Sequence, residues 1–92
     1  MELLQVKSLV RIKANLLTNT DTIHEYGMHT DTNFDCRTAV FYVNTNDGYT
    51  NIEGEKVASV ENRLVKFGAL TKHTGSSTTD SQIRVVLNIN YY

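Results

Sequence analysis

Along most of this chain, apolar and polar residues alternate in short runs, and turn signals separate the runs about every eight to twelve residues. A period of two is what a half-buried strand imposes, because successive side chains point to opposite faces. Residues 5–17 keep that period through Val10, Ile12 and Ala14. A polar break at 18–22 follows, and 24–31 reads as a second, short strand before a polar loop at 32–37. Residues 38–44 (TAVFYVN) form the strongest predicted strand, closed by a turn at 45–48 that carries the Asp47-Gly48 signal. Strands are expected at 49–52 and 56–60 around a turn at Glu53-Gly54. Others are expected at 63–68 after the Glu61-Asn62 turn, and at 82–91 (QIRVVLNINY). Residues 72–81 read as a polar stretch, and 1–7 as a strand start or a helical stub. Seven or eight short strands with no repeat or linker predict one all-β domain over residues 1–92, a sandwich or jelly roll.

Composition agrees with that class. Thr, Val, Asn and Tyr are abundant, and these favour strands and turns over helices. A chain of 92 residues buries only about 60–65% of its unfolded surface, so the core is thin. A formal net charge of -1 gives no electrostatic reason to expect nucleic acid or a membrane surface as partner. The apolar runs are too short to span a bilayer, and no basic segment near Met1 leads into an apolar stretch, so no signal peptide is expected. A single cysteine, Cys36, cannot form an internal disulfide and is read as an unreactive free thiol. These features together predict a cytoplasmic protein.

His29-Thr30-Asp31 is an HxD triplet. On a strand, residues two apart share a face, so His29 and Asp31 would converge on one point while Thr30 faced away. His73 is a candidate third ligand from a distant strand. Two imidazoles and one carboxylate leave several positions open on one ion, a donor set that suits Fe(II) binding a chelating cosubstrate and O2. With three His in the chain the triplet alone is a weak signal, and the constellation gives it weight. Arg84 opens the last predicted strand. A guanidinium inside a sandwich needs an anionic partner, and its planar fork matches a carboxylate. A dicarboxylate cosubstrate would place its far carboxylate there.

From residue 24 onward the sequence resembles the Fe(II)/2-oxoglutarate-dependent dioxygenases, in particular the prolyl-4-hydroxylase-like branch that phages and bacteria carry. His29-Thr30-Asp31 matches the HxD ligands of that family. Residues 37–44 (RTAVFYVN) resemble a family strand, 48–52 (GYTNI) its glycine-led segment, and 62–67 (NRLVKF) the strand before the distal histidine. Lys72-His73-Thr74 and Arg84 then match the third ligand and the cosubstrate anchor, and 11–16 (RIKANL) resemble a strand that precedes HxD in phage members. The likeness covers roughly 80 residues in order. It departs at Asp47-Gly48, where the family has paired glycines, and it lacks the usual N-terminal helices.

The resemblance implies a double-stranded β-helix reduced to a minimal core. It implies iron on His29, Asp31 and His73, with Arg84 and Tyr42 on the distal carboxylate of 2-oxoglutarate. The implied reaction hydroxylates a substrate with O2 while 2-oxoglutarate becomes succinate and CO2. Peptidyl proline is the substrate it suggests, so a protein or peptide partner is expected beside the small-molecule cosubstrate. Asn88 and Asn90 share the parity of Arg84 and are expected to line the pocket or to form a buried polar network. Without the helices, apolar sheet surface would be exposed, which predicts self-association. The main alternative is a non-catalytic viral or structural jelly-roll interaction module derived from this family. A cupin-like sugar or metal binder would usually want a histidine-rich cluster with a Glu ligand, which the sequence does not show.

Overall fold

The computed structural model describes residues 7–92. The possible helical stub at 1–7 and the first residues of the predicted 5–17 strand lie almost wholly outside the described residues. Seven strands run through the remainder: β1 (Leu9–Thr18), β2 (Arg37–Tyr42), β3 (Tyr49–Ile52), β4 (Glu55–Ala58), β5 (Leu64–Gly68), β6 (His73–Gly75) and β7 (Ile83–Tyr91). No helix occurs among the described residues, so none is long and apolar enough to cross a membrane.

All neighbouring strands pair antiparallel, in a four-stranded sheet of order β1-β7-β2-β5 and a three-stranded sheet of order β4-β3-β6. Strand parity sorts the larger sheet into two faces. Val40, Tyr42, Phe67 and Val86 point toward the smaller sheet and pack with Ile52 and Val57 from it. Ala39, Ile89 and Tyr91 form a second cluster on the opposite face with Leu64. On that outer side β1 leaves Ile12 and Leu16 more than half exposed. Arg84, Val86, Asn88 and Asn90 alternate with these residues along β7 and so turn inward together, as parity predicts.

Two predicted elements differ. Residues 24–31 are not a regular strand. Their backbone pairs with β6 and its continuation through isolated bridges, Glu25 with Ser76 and His29 with His73, and not through a continuous ladder. Four steps along this segment oppose three along its partner, a bulge-like slip around Gly27 that breaks the ladder. Conversely, the stretch 72–81 read as merely polar contains β6. His73, Thr74 and Gly75 gave no apolar alternation to find, although His73 and Thr74 are buried.

Candidate metal centre

His29, Asp31 and His73 meet because the irregular 24–31 segment is bridged to β6 between His29 and His73. His29 N–H donates to the His73 carbonyl and His73 N–H to the His29 carbonyl, each at 2.9 Å. Beyond that pair, Asp31 N–H donates to the Ala69 carbonyl at 3.3 Å, which swings its carboxylate under the two rings. Asp31 Oδ1 lies 3.1 Å from His73 Nε2 and 3.8 Å from His29 Nε2, and the three donor atoms fall within 4.8 Å of one another. The rings of His29 and His73 are 4.7 Å apart, and Phe67 packs edge-on against His73 at the same distance. His73 and Asp31 are buried while His29 stands at the rim, 53% exposed.

The hydrogen bonds around these groups suit metal ligation. His73 Nδ1 contacts the Thr71 carbonyl at 2.8 Å and His29 Nδ1 the Gly27 carbonyl at 3.1 Å. A carbonyl only accepts, so each Nδ1 carries a hydrogen and each Nε2 is the atom that faces Asp31. Without a metal, protonated His73 Nε2 donates to Asp31 Oδ1 at 3.1 Å, and a metal ion would take the place of that proton. Burial would push the Asp31 carboxyl up, but hydrogen bonds from His73, Asn90 and Thr38, with the His73 charge, outweigh it and hold the carboxyl at about 2. Burial likewise pulls the His73 imidazole down, and the Asp31 carboxylate and Thr71 carbonyl outweigh it and raise its pKa. Two neutral-capable Nε2 atoms and one ionised oxygen can face a single divalent ion.

A cavity of about 370 Å³ opens between the sheets beside this cluster. His29, His73, Thr50, Thr74, Arg84 and Asn88 line it, and β1 residues 13–17 close its far side. Arg84 is 1% exposed. Its Nε–H donates to Ser59 Oγ at 3.0 Å, and its Nη2 to the Tyr49 carbonyl at 3.1 Å and to Thr50 Oγ1 at 3.4 Å. Among the described residues no carboxylate lies within 4.0 Å of it. Burial lowers its pKa, yet a guanidinium stays charged under ordinary conditions. The result is a buried cation held by neutral acceptors alone, the situation in which an anionic ligand is most favoured.

Two glycines make room for that side chain. A Cβ on Gly48 would fall 2.6 Å from Arg84 Cδ and 2.8 Å from the Ser77 carbonyl. A Cβ on Gly75 would fall 3.2 Å from Arg84 Nη1. Gly75 is two positions from His73 on β6, so the guanidinium reaches this strand about 7 Å along from the histidine. Ser59 and Gly75 escape sequence reasoning because neither stands in a motif, whereas Gly48 and Thr50 fall in the matched 48–52 segment without being assigned to the site.

The remaining predicted site residues divide. Asn88 lines the cavity. Asn90 does not. It is buried in a polar network, donating from Nδ2 to Asp31 Oδ2 at 3.0 Å and to Thr38 Oγ1 at 2.9 Å. Tyr42 is fully buried, and its hydroxyl donates to Thr50 Oγ1 at 2.7 Å. It meets the cavity through Thr50, and its ring stands 5.9 Å from the Arg84 guanidinium carbon. Cys36 is buried, as expected of an inert thiol.

Two solved structures share this architecture. A cupin protein from Bacteroides fragilis superposes with a TM-score of 0.61 at 17% identity, over 87% of this chain and 63% of that one. An RmlC-like cupin protein from Desulfovibrio desulfuricans superposes with a TM-score of 0.56 at 13% identity, over 87% of this chain and 82% of that one. This chain therefore spans a little under two thirds of the Bacteroides protein. No protein-family model and no curated protein matches the sequence. The chain is a jelly roll, an all-β architecture that houses enzymes and non-enzymatic binding domains alike.

Proposed function

We propose that this protein is an Fe(II)- and 2-oxoglutarate-dependent oxygenase. The observation that carries the reading is the unpaired Arg84 guanidinium on the same cavity as the His29, Asp31 and His73 donors. A metal cluster alone would suit many roles. A buried cation a short reach from it asks for a ligand that chelates at one end and ends in a carboxylate at the other.

In this reading His29, Asp31 and His73 hold the iron, which supplies the oxygen chemistry that side chains lack. Arg84 anchors the distal carboxylate of the cosubstrate, and Thr50, itself fixed by Tyr42, offers a hydroxyl beside it. Asn88 and the β1 side chains bound the rest of the space. His29, at the exposed rim, marks the side from which a substrate enters. A protein or peptide is the substrate class, with peptidyl proline suggested by the sequence resemblance. The test is conversion of 2-oxoglutarate to succinate in air with Fe(II) present. Conversion lost in His73→Ala supports the assignment, and folded wild-type protein that converts none counts against it.

A non-catalytic interaction module is the second reading, favoured by the apolar outer face on which Ile12 and Leu16 stand more than half exposed. It predicts association without any succinate formation.

A further inference from the structure

Asn90 Oδ1 is, among the described residues, the buried side-chain polar atom that finds no partner. An orphaned acceptor in a core costs stability, and turning the amide over is the usual remedy. Here the remedy is blocked. Turning it would set Oδ1 against Asp31 Oδ2 and give up the 3.0 Å hydrogen bond that Nδ2 now donates. The amide is held in the orientation that serves Asp31, at the expense of its own oxygen.

Thr38 completes a closed ring with them. Its hydroxyl donates to Asp31 Oδ2 at 3.1 Å and accepts from Asn90 Nδ2 at 2.9 Å. Thr38 and Asn90 are opposed across the β2–β7 ladder, and both are 1% exposed or less. Two rigid strands thus place two donors on one oxygen of Asp31. The other oxygen, Oδ1, is left to face His73 and His29.

We propose that Thr38 and Asn90 are positioning residues that make Asp31 a one-oxygen metal ligand. By saturating Oδ2 they keep it from taking a second coordination position, so that position stays open to solvent or cosubstrate. This inference rests on the metal-centre reading above. Outer-sphere partners of this kind typically govern metal affinity by about 10- to 100-fold.

The test uses Mn(II) as probe, with water proton relaxation reporting both affinity and the number of exchangeable waters. Thr38→Val keeps the shape and removes the hydroxyl, whereas Thr38→Ser keeps the hydroxyl. Asn90→Leu removes the amide donor from the other side. Thr38→Val and Asn90→Leu should each bind Mn(II) about 10- to 100-fold more weakly or hold fewer exchangeable waters. Thr38→Ser should remain close to wild type, with circular dichroism verifying the fold of each variant. Mn(II) binding that is abolished in His73→Ala but unchanged in Thr38→Val overturns this inference alone, as does a Thr38→Ser protein that falls as far as Thr38→Val. A wild-type protein that takes up no Mn(II) overturns the metal centre and this inference with it.

Discussion

His73 Nε2 and Asp31 Oδ1 stand 3.1 Å apart, with each side chain 5% exposed, and without a metal they form a buried ion pair. The folded Asp31 carboxyl sits at about 2, below its ordinary value of about 3.9. Its contribution is therefore present above about pH 4 and lost as pH falls through 2, on the order of 2 kcal/mol. His73 is raised, so its contribution is present below about pH 6.5 and lost as pH rises through the folded value. Metal-free protein should be most stable between about pH 4 and 6.5. Urea midpoints in the presence of a chelator measure this. The alkaline decline should vanish in Asp31→Asn, and its persistence there would assign it to another group.

Arg84→Met keeps most of the buried stem and removes the charge. Loss of a charge-assisted anchor should weaken 2-oxoglutarate binding by about 10- to 100-fold at unchanged Mn(II) affinity. Thermal stability should hold or rise, because a buried cation without a carboxylate partner is exchanged for an apolar chain. Gly75→Ala crowds Nη1 and should shift binding in the same direction by less. Anaerobic calorimetry reads both. Equal cosubstrate affinity in wild type and Arg84→Met would remove Arg84 from the site.

Tyr42→Phe separates direct from indirect contact. The sequence resemblance has Tyr42 touch the cosubstrate carboxylate, whereas its hydroxyl hydrogen is committed to Thr50 Oγ1. The variant should lose about 1 kcal/mol of stability and only a few-fold in 2-oxoglutarate affinity. A loss as large as that in Arg84→Met would show that the hydroxyl turns to the ligand.

The alternation along residues 83–91 was enough to place Arg84, Asn88 and Asn90 on one inward face, and the Glu53-Gly54 signal was enough to place the β3–β4 hairpin. The two parts that join at the metal centre were harder to read. His29 and Asp31 do not converge through regular strand geometry, because the bulge-like slip around Gly27 breaks the ladder. β6 reads His-Thr-Gly, so it carries no apolar period although His73 and Thr74 are buried. The separate roles of Asn88 and Asn90 depend on what lies across the β2–β7 ladder, which strand parity alone does not encode.

The β3–β4 hairpin offers a test of the backbone that is independent of the site. Its two-residue loop has Glu53 at φ +49° and Gly54 at φ +94°, both in the left-handed region that this tight turn requires. Glutamate is a poor choice there, and asparagine tolerates the conformation. Glu53→Asn should stabilise the fold by about 0.5–1 kcal/mol, and Glu53→Val should destabilise it. Urea midpoints decide. A neutral asparagine variant would argue against the left-handed geometry.

The proposed oxygenase function requires that one cavity hold iron and 2-oxoglutarate together. Anaerobic addition of both to the folded protein tests it most directly, by the visible metal-to-ligand charge-transfer band of the chelate. The band should form in wild type, be lost in His73→Ala, and need a much higher 2-oxoglutarate concentration in Arg84→Met. A folded wild-type protein that gives no band, or a band that forms equally well in Arg84→Met, would contradict the account.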